Sequence, residues 1–509
     1  MRYLAGIDLG TSAVKAAIFS EKGKLISSAS VEYPLYQPRN GWAEQEPEDW
    51  YNGAVSAIKT AVADGGVDPA DIVSVGMSGQ MHGLVMLDRS GQPLRRSIIW
   101  CDQRTAEECR ELTEKLGYDK LIEITANPAL AGFTASKILW VKKNEPEIFG
   151  KCRYILLPKD YLRYRLTGEL ATEVSDASGM QLLDIAHRRW SPEMLEAVGI
   201  TENMLGKVYE SPDITGYITK EASQATGLPV TACVVGGAGD NAAAAVGSGI
   251  VTVGKAFTTI GTSGVVFAHT DEPVLDRRGR VHTFCCAVPG KWHVMGVTQA
   301  AGLSLKWFRD NFCSAEVETA RLMGIDPYVL MDKEAENSPL GANGLLYMPY
   351  LMGERTPHLD SECRGAFIGL SAAHSRGDMI RAVMEGVAFS LLDCEEIFSE
   401  MGIKINEMYA CGGGGRSKVW RGMLADMYGC KVKTLKSSEG AALGAAILAA
   451  TGAGIYPSVE NACSAMTEEG DIIAPDKERT DGYRELYCVF KEVYPALKDI
   501  FPKLAPWKR

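Results

Sequence analysis

Leu4–Ala5–Gly6–Ile7–Asp8–Leu9–Gly10–Thr11–Ser12 runs directly into a second β-prone stretch, Ala13 to Phe19. Far along the chain, Phe257–Thr258–Thr259–Ile260–Gly261–Thr262–Ser263 runs in the same way into Gly264 to Ala268. Each reads as strand, Gly-Thr-Ser turn and strand, the signature of a hairpin. Two such hairpins, one near the start of each half, predict a duplicated domain.

Each half also carries a strand that enters a glycine-rich turn and then a helix. In the first half Ala232 to Val235 leads to Gly236–Gly237–Ala238–Gly239–Asp240–Asn241 and an alanine-rich stretch. In the second, Met408 to Cys411 leads to Gly412–Gly413–Gly414–Gly415, then to Arg416 to Tyr428. Glycine permits positive φ and lets backbone approach a ligand. A helix start adds free N–H groups and the positive end of its dipole. From Asp378 the apolar pairs Met379/Ile380, Val383/Met384, Val387/Ala388 and Leu391/Leu392 recur every four residues, with Ser375 and Asp378 placed to cap a helix. Glu46–Pro47–Glu48–Asp49 opens another. Strands alternating with helices predict α/β layers.

At ~100–200 residues per domain, the 509 residues predict two large domains, 1–247 and 248–509, with Gly247–Ser248–Gly249 as a hinge. The helix-rich end, Tyr483 to Phe501, is left to pack on either domain, the first included. A net charge of −11 disfavours nucleic-acid or anionic-membrane partners, though backbone amides can still build a phosphate site. The 13 cysteines have no CxxC spacing and read as reduced thiols, so a cytoplasmic protein is the expectation. The longest small-apolar stretch, Ala441 to Ala450, is far short of the ~20 residues of a membrane span. The seven histidines show no zinc spacing.

Four segments carry candidate chemistry. Asp8 at a strand end, before the turn Gly10–Thr11–Ser12, suits Mg²⁺ and phosphate, because magnesium takes one or two carboxylates and keeps water ligands. Its plain alternative is a turn-stabilising aspartate, and Lys15 reads equally as a phosphate partner or a solvated lysine. Asp240 at a glycine-rich helix entrance suits a base for an alcohol that receives a phosphoryl group; the alternative is an N-cap. In Ser78–Gly79–Gln80–Met81–His82–Gly83, His82 suits a sugar hydroxyl and Met81 its carbon face, although a lone histidine is more often structural. The tetraglycine at 412–415 suits contact with adenine or ribose, or is simply a flexible turn.

In this order the motifs resemble those of the FGGY carbohydrate kinases. The resemblance is carried by Asp8 to Ser12, Trp100–Cys101–Asp102–Gln103–Arg104, Phe133 to Trp140, Leu157–Pro158–Lys159–Asp160–Tyr161, Gly239–Asp240–Asn241 and Gly261–Thr262–Ser263. Gly353–Glu354–Arg355–Thr356–Pro357–His358, Gly365 to Leu370 and Gly412 to Ser417 continue it. It implies two actin-like, ribonuclease-H-like domains with ATP and a sugar in the cleft between them. Asp240 then corresponds to the catalytic base and Asp8 to the acid associated with Mg²⁺, directly or through water. Met81, His82, Asp240 and Asn241 correspond to sugar contacts, with Trp100 and Asp102 as further candidates. Gly10, Thr11, Ser12, Gly261, Thr262, Gly302, Gly413 and Gly414 correspond to nucleotide contacts. Gln80 to Gly83 and Leu157 to Tyr161 resemble the xylulokinases within the family, which makes D-xylulose the expected acceptor. Another pentulose, a polyol or an aldonate is the alternative, and an actin- or chaperone-like nucleotide switch a distant one. The oligomeric state is left open, a homodimer among the options.

Overall fold

Strand Tyr3–Leu9 pairs antiparallel with Ala13–Ser20, setting Asp8 opposite Lys15, and the Gly10 amide closes the turn on the Ala13 carbonyl at 3.0 Å. Strand Lys255–Ile260 pairs with Gly264–Thr270 in the same manner, its turn closed from Gly261 to Ser263 at 3.0 Å. These contacts belong to a computed structural model that describes residues 1–437, 439–504 and 507.

Each hairpin seeds one sheet. The first orders its strands Ile214–Tyr217, Cys233–Val235, Ile72–Gly79, Tyr3–Leu9, Ala13–Ser20 and Leu25–Glu32, with the short strand Ala238–Gly239 also on Ile72–Gly79. The second orders His282–Cys285, Trp292–Thr298, Gly264–Thr270, Lys255–Ile260, Glu407–Cys411, Lys431–Leu435 and Glu469–Ile473. In both, the first hairpin strand has an antiparallel partner on one side and a parallel strand on the other. A parallel neighbour needs a crossover, so both sheets leave strand C-termini and their loops along one edge, where α/β folds bind ligands. The molecule is thus duplicated, as the two hairpins predicted, and its halves are ribonuclease-H-like domains, as the family resemblance implied.

Helix Pro47–Gly65 buries Trp50, Ala54, Ala57, Ile58 and Ala61 against the first sheet. Helix Arg376–Glu400 buries Ile380, Val383, Met384 and Val387 in the second core, and Ser375 and Asp378 form the expected capping box. Helix Lys477–Leu497 docks on the second half. Its Tyr483 hydroxyl meets Glu385 at 2.8 Å and Arg381 at 2.9 Å, and Tyr487 donates to Asp393 at 2.6 Å. Among the described residues no helix is long and apolar enough to cross a membrane.

The halves meet through two helices made of small residues. Helix Asp240–Gly247 follows the first sheet and helix Gly440–Gly452 follows the second, and they cross with almost no side chain between them. A Cβ on Gly444 would lie 1.8 Å from the Ala243 carbonyl oxygen, and one on Gly247 would lie 1.8 Å from that of Gly440. The same helix presses on the first sheet, where a Cβ on Gly76 would sit 1.9 Å from the Ala445 oxygen. Close backbone packing is therefore the role of the small-residue run after Glu439.

Candidate active site

Asp8 ends its strand beside Ser78 of the parallel strand Ile72–Gly79. Burial raises its carboxyl above the usual range; the Ser78 hydroxyl and Lys15 oppose this, and Glu439 adds to it. Lys15 ion-pairs with Glu439 across the domain junction. The turn Gly10–Thr11–Ser12 is held from its carbonyl side. Tyr33 Oη and Gln80 Nε2 donate to the Gly10 oxygen, Gln45 Nε2 donates to that of Thr11 at 2.6 Å, and the Tyr33 amide donates to that of Ser12 at 3.2 Å.

Asp240 is the first residue of its helix, and Gly239 is the N-cap with no side-chain bond. Its Oδ1 accepts from the Asn241 amide at 2.7 Å and from Asn241 Nδ2 at 3.0 Å. Burial, and then the negative charge of Asp8, push its carboxyl up to about 6, with the Asn241 bonds opposing. The two carboxyls therefore lie close enough for the charge of one to act on the other. Glycine at 237 is required: its φ is +76°, and a Cβ there would meet the Met77 carbonyl oxygen at 2.1 Å.

Buried charge supports this loop from behind. Lys159 Nζ is fully enclosed, pairs with Asp160 at 2.9 Å and donates to the Gly236 carbonyl at 3.2 Å; Glu173 and Asp176 lie at 3.6 and 3.5 Å. Glu173 accepts from the Ser211 and Ser175 hydroxyls, and Ser175 Oγ in turn receives the Gly239 amide at 3.1 Å. A charged pair in such a site holds only when its remaining hydrogen bonds are met. The segment Leu157 to Tyr161 thus positions the turn that bears Asp240.

Met81 packs on Gly239, next to Asp240, where a Cβ would come within 2.9 Å of its Cγ. His82 adopts φ +70°, and its Nδ1 lies 2.8 Å from the Gly179 carbonyl, which makes Nδ1 the donor and leaves Nε2 to accept. The His82 carbonyl is itself bound by Lys137 Nζ at 2.9 Å and Thr134 Oγ1 at 3.0 Å. Phe133 packs against the ring, centroids 4.8 Å apart. That is the work of the segment Phe133 to Trp140. Burial lowers the His82 imidazole to about 3, so it stays neutral near neutral pH. His82→Ala is expected to raise the sugar KM roughly three- to tenfold, from the ~0.5–1.5 kcal/mol of one neutral hydrogen bond, with a smaller fall in kcat. Steady-state kinetics varying sugar and ATP separately checks this, and a change confined to ATP would contradict it.

On the second domain, the amides of Ala301 and Leu303 donate to Thr262 at 3.0 and 3.2 Å and that of Gly302 to Gly261 at 2.7 Å, so the turn and the helix Gly302–Phe312 are one unit. Beyond Thr259, which stands where Asp8 does in the first hairpin, a cavity of about 600 Å³ opens at the ends of the parallel strands. Gly412, Gly413, Gly415 and Arg416 line one side, Lys436 and Ser437 another. Gly413 faces open space, whereas Gly414 is pressed on Ile260 and Trp420. Lys436 and Ser437 were not singled out from sequence, since nothing local distinguishes a lysine or serine at a strand end.

Trp100 is exposed, with its indole N–H 2.9 Å from Thr11 Oγ1, so it stands over the first turn. Asp102 is not a sugar-lining residue. It is fully buried, clamps Arg104 through both oxygens and accepts the Ala43 amide at 2.6 Å, which is the turn-aspartate reading.

Paired ribonuclease-H-like domains, a held turn in each and a half-buried carboxylate at the helix where they meet define a phosphotransferase of the actin-like architecture. The chain matches the N-terminal domain of the FGGY family of carbohydrate kinases over residues 3–247 and the C-terminal domain over 256–453, and it belongs to that family. It is 42% identical to a xylulose kinase of Bacillus subtilis, over 96% of both chains, and 33% identical to a gluconokinase of Bacillus licheniformis, over 96% of this chain and 94% of that one. A crystal structure described as a xyloylose kinase from Brucella ovis superposes with a TM-score of 0.90 at 35% identity, covering 98% of this chain and 100% of that chain.

Proposed function

We propose that this carbohydrate kinase transfers the γ-phosphoryl group of ATP to the terminal primary hydroxyl of D-xylulose. The observation that carries the chemistry is Asp240, half-buried near Asp8 and raised to about 6. Ionised at neutral pH, yet with an affinity for a proton above that of an ordinary carboxylate, it accepts the hydroxyl proton as the sugar oxygen attacks phosphorus and ADP leaves. Met81 and His82 hold the sugar; the amides of the two Gly-Thr-Ser turns hold phosphate oxygens. Gly413, Arg416 and Lys436 are the nucleotide-side surface.

Mg²⁺ fits the residues present. Asp8 is a half-buried carboxylate with a second carboxylate near it, and among the described residues no set of three or more His, Cys, Asp or Glu forms a protein cage. One or two carboxylates, the remainder being phosphate and water, is the magnesium pattern. Bound there, the ion offsets phosphate charge. Closure of the domains about the crossed helices excludes water, which otherwise competes as acceptor.

What favours D-xylulose among sugars is the likeness to the Bacillus subtilis relative over nearly the whole chain. A panel of D-xylulose, D-ribulose, L-ribulose, glycerol and gluconate, read by ADP release, tests it. D-Xylulose is expected to give the highest kcat/KM, by at least tenfold; gluconate in first place would replace the assignment.

A further inference from the structure

We propose that the cavity between helix Arg376–Glu400 and helix Lys477–Leu497 is a binding site for a small organic ammonium, held by the Asp393 carboxylate and the Tyr350 hydroxyl. It shares no lining residue with the nucleotide-side cavity, and it does not depend on which sugar the kinase takes.

The cavity has a volume of about 180 Å³ and is walled by segments distant in sequence. Tyr350 and His358 come from one, Asp393 from helix Arg376–Glu400, and Phe490 and Tyr494 from helix Lys477–Leu497. The last helix lies beyond residues 256–453, so one wall stands outside the part of the chain that matches the family's C-terminal domain.

Two polar atoms here lack partners although their residues are almost fully buried. Asp393 is 5% exposed; its Oδ1 accepts the Tyr487 hydroxyl at 2.6 Å, and among the described residues nothing donates to its Oδ2. Tyr350 is 1% exposed, and among the described residues its hydroxyl makes no hydrogen bond. Neither atom is sealed inside the protein, so each opens on the cavity that its residue lines. Polar groups withdrawn from water are costly until they are hydrogen-bonded. A ligand that brings N–H donors completes both.

The charges of the wall select a cation. Arg280 is paired with Asp276 at 3.1 Å and with Glu400 at 2.9 Å, and Lys491 with Glu396 at 2.5 Å. The positive groups that would draw an anion are therefore already neutralised, while Asp393 has no ion pair among the described residues. Burial pushes its carboxyl up to about 7 against the Tyr487 hydrogen bond, with Glu396 adding to the rise and Lys491 opposing it. A bound cation returns such a group to its charged form. The rings favour the same ligand. Tyr350 meets His358 and Tyr494 edge-on, with centroids 5.9 and 6.2 Å apart, and His358 stacks on Tyr494 at 3.6 Å. Burial lowers His358 to about 4, so it adds no positive charge near neutral pH. Aromatic faces beside a carboxylate attract an ammonium. A metal ion fits poorly, since among the described residues no set of three or more His, Cys, Asp or Glu could hold one.

The test is titration of the full chain with ethylammonium at pH 8, read by ligand-observed NMR, with sodium chloride at equal concentration as the control. With three non-hydrogen atoms the ligand is limited to a Kd of about 1 mM or weaker, and saturation is expected below ~100 mM. Affinity should be unchanged when D-xylulose and ADP are present, which separates this cavity from the acids of the cleft. Asp393→Asn is expected to weaken binding at least tenfold, and Tyr350→Phe about two- to tenfold, as the loss of a charged and of a neutral hydrogen bond. No saturation by ethylammonium, equal binding by the Asp393→Asn variant, or displacement by D-xylulose and ADP overturns the proposal. If Asp393→Asn does not fold, Tyr350→Phe decides, and unaltered affinity in that variant overturns it.

Discussion

Asp240→Asn is expected to leave a folded protein whose sugar phosphorylation is reduced by about a thousand-fold or more, the upper part of what a positioned base contributes. Asparagine keeps the oxygen that accepts the Asn241 amide at 2.7 Å, so the loop has no reason to move. What it loses is proton affinity. In the wild-type chain the same group sets the acid side of the pH profile: activity rises as pH passes upward through about 6, where Asp240 ionises. The effect on stability has the opposite sense. The carboxyl is raised in the folded state, so the native protein keeps a proton that the unfolded chain loses between pH 3.8 and about 6. Over that window wild-type stability falls with rising pH, and the cost is fully present above it. The asparagine variant should therefore melt no lower than wild type at pH 4 and higher at pH 8. Turnover near the wild-type rate would remove the central assignment, and a lower melting temperature at pH 8 would contradict the electrostatic account of the site.

Gly444→Ala is expected to be among the most damaging single-methyl changes in the molecule. The new Cβ would stand 1.8 Å from the Ala243 carbonyl oxygen and 3.0 Å from the Gly247 nitrogen. Both are backbone atoms of the crossing helix, so no side chain can rotate away and the two helices must separate. Overpacking in a closed core costs about 1–3 kcal/mol and sometimes more. With backbone on both sides the upper end applies, and it falls on the junction that sets one domain against the other. Loss of soluble protein, or a fall in melting temperature of several degrees with catalysis impaired, is the expected result. Gly422→Ala is the control: that helical glycine has nothing within 4 Å of an added Cβ. Alanine there should be neutral or stabilising by up to about 1 kcal/mol. Equal behaviour of the two variants would show that the helix crossing is looser than the structure has it.

The parts of the protein legible in sequence are those whose cause is local. A strand, a Gly-Thr-Ser turn and a second strand state a hairpin in about fifteen residues, and the repeat states the duplication. Ser375 and Asp378 announce a helix start because a capping box involves four neighbouring residues. Asp240 was legible because glycines frame it, and the glycine at 237 is there because the Met77 carbonyl leaves no room for more. Lys137 and Lys159 were not legible in their roles. A lysine within a helical run reads as solvated until the fold encloses it, and Lys159 is enclosed only because residues 173, 176 and 236 converge from other segments.

Asp102 and Lys15 show the same boundary from the other side. Both stand in motifs that point to ligands, and both are taken by protein partners, Arg104 and Glu439. An ion pair depends on distance in space, and position 439 is far from position 15 along the chain. The sequence alone therefore determined the doubled architecture, the two turns and the glycine-framed carboxylate proposed for the reaction, since turn chemistry, periodicity and glycine requirement act within a few residues. Tertiary structure decided which charges face the cleft and which are spent on holding it, because burial and pairing belong to groups that meet only after the chain has folded.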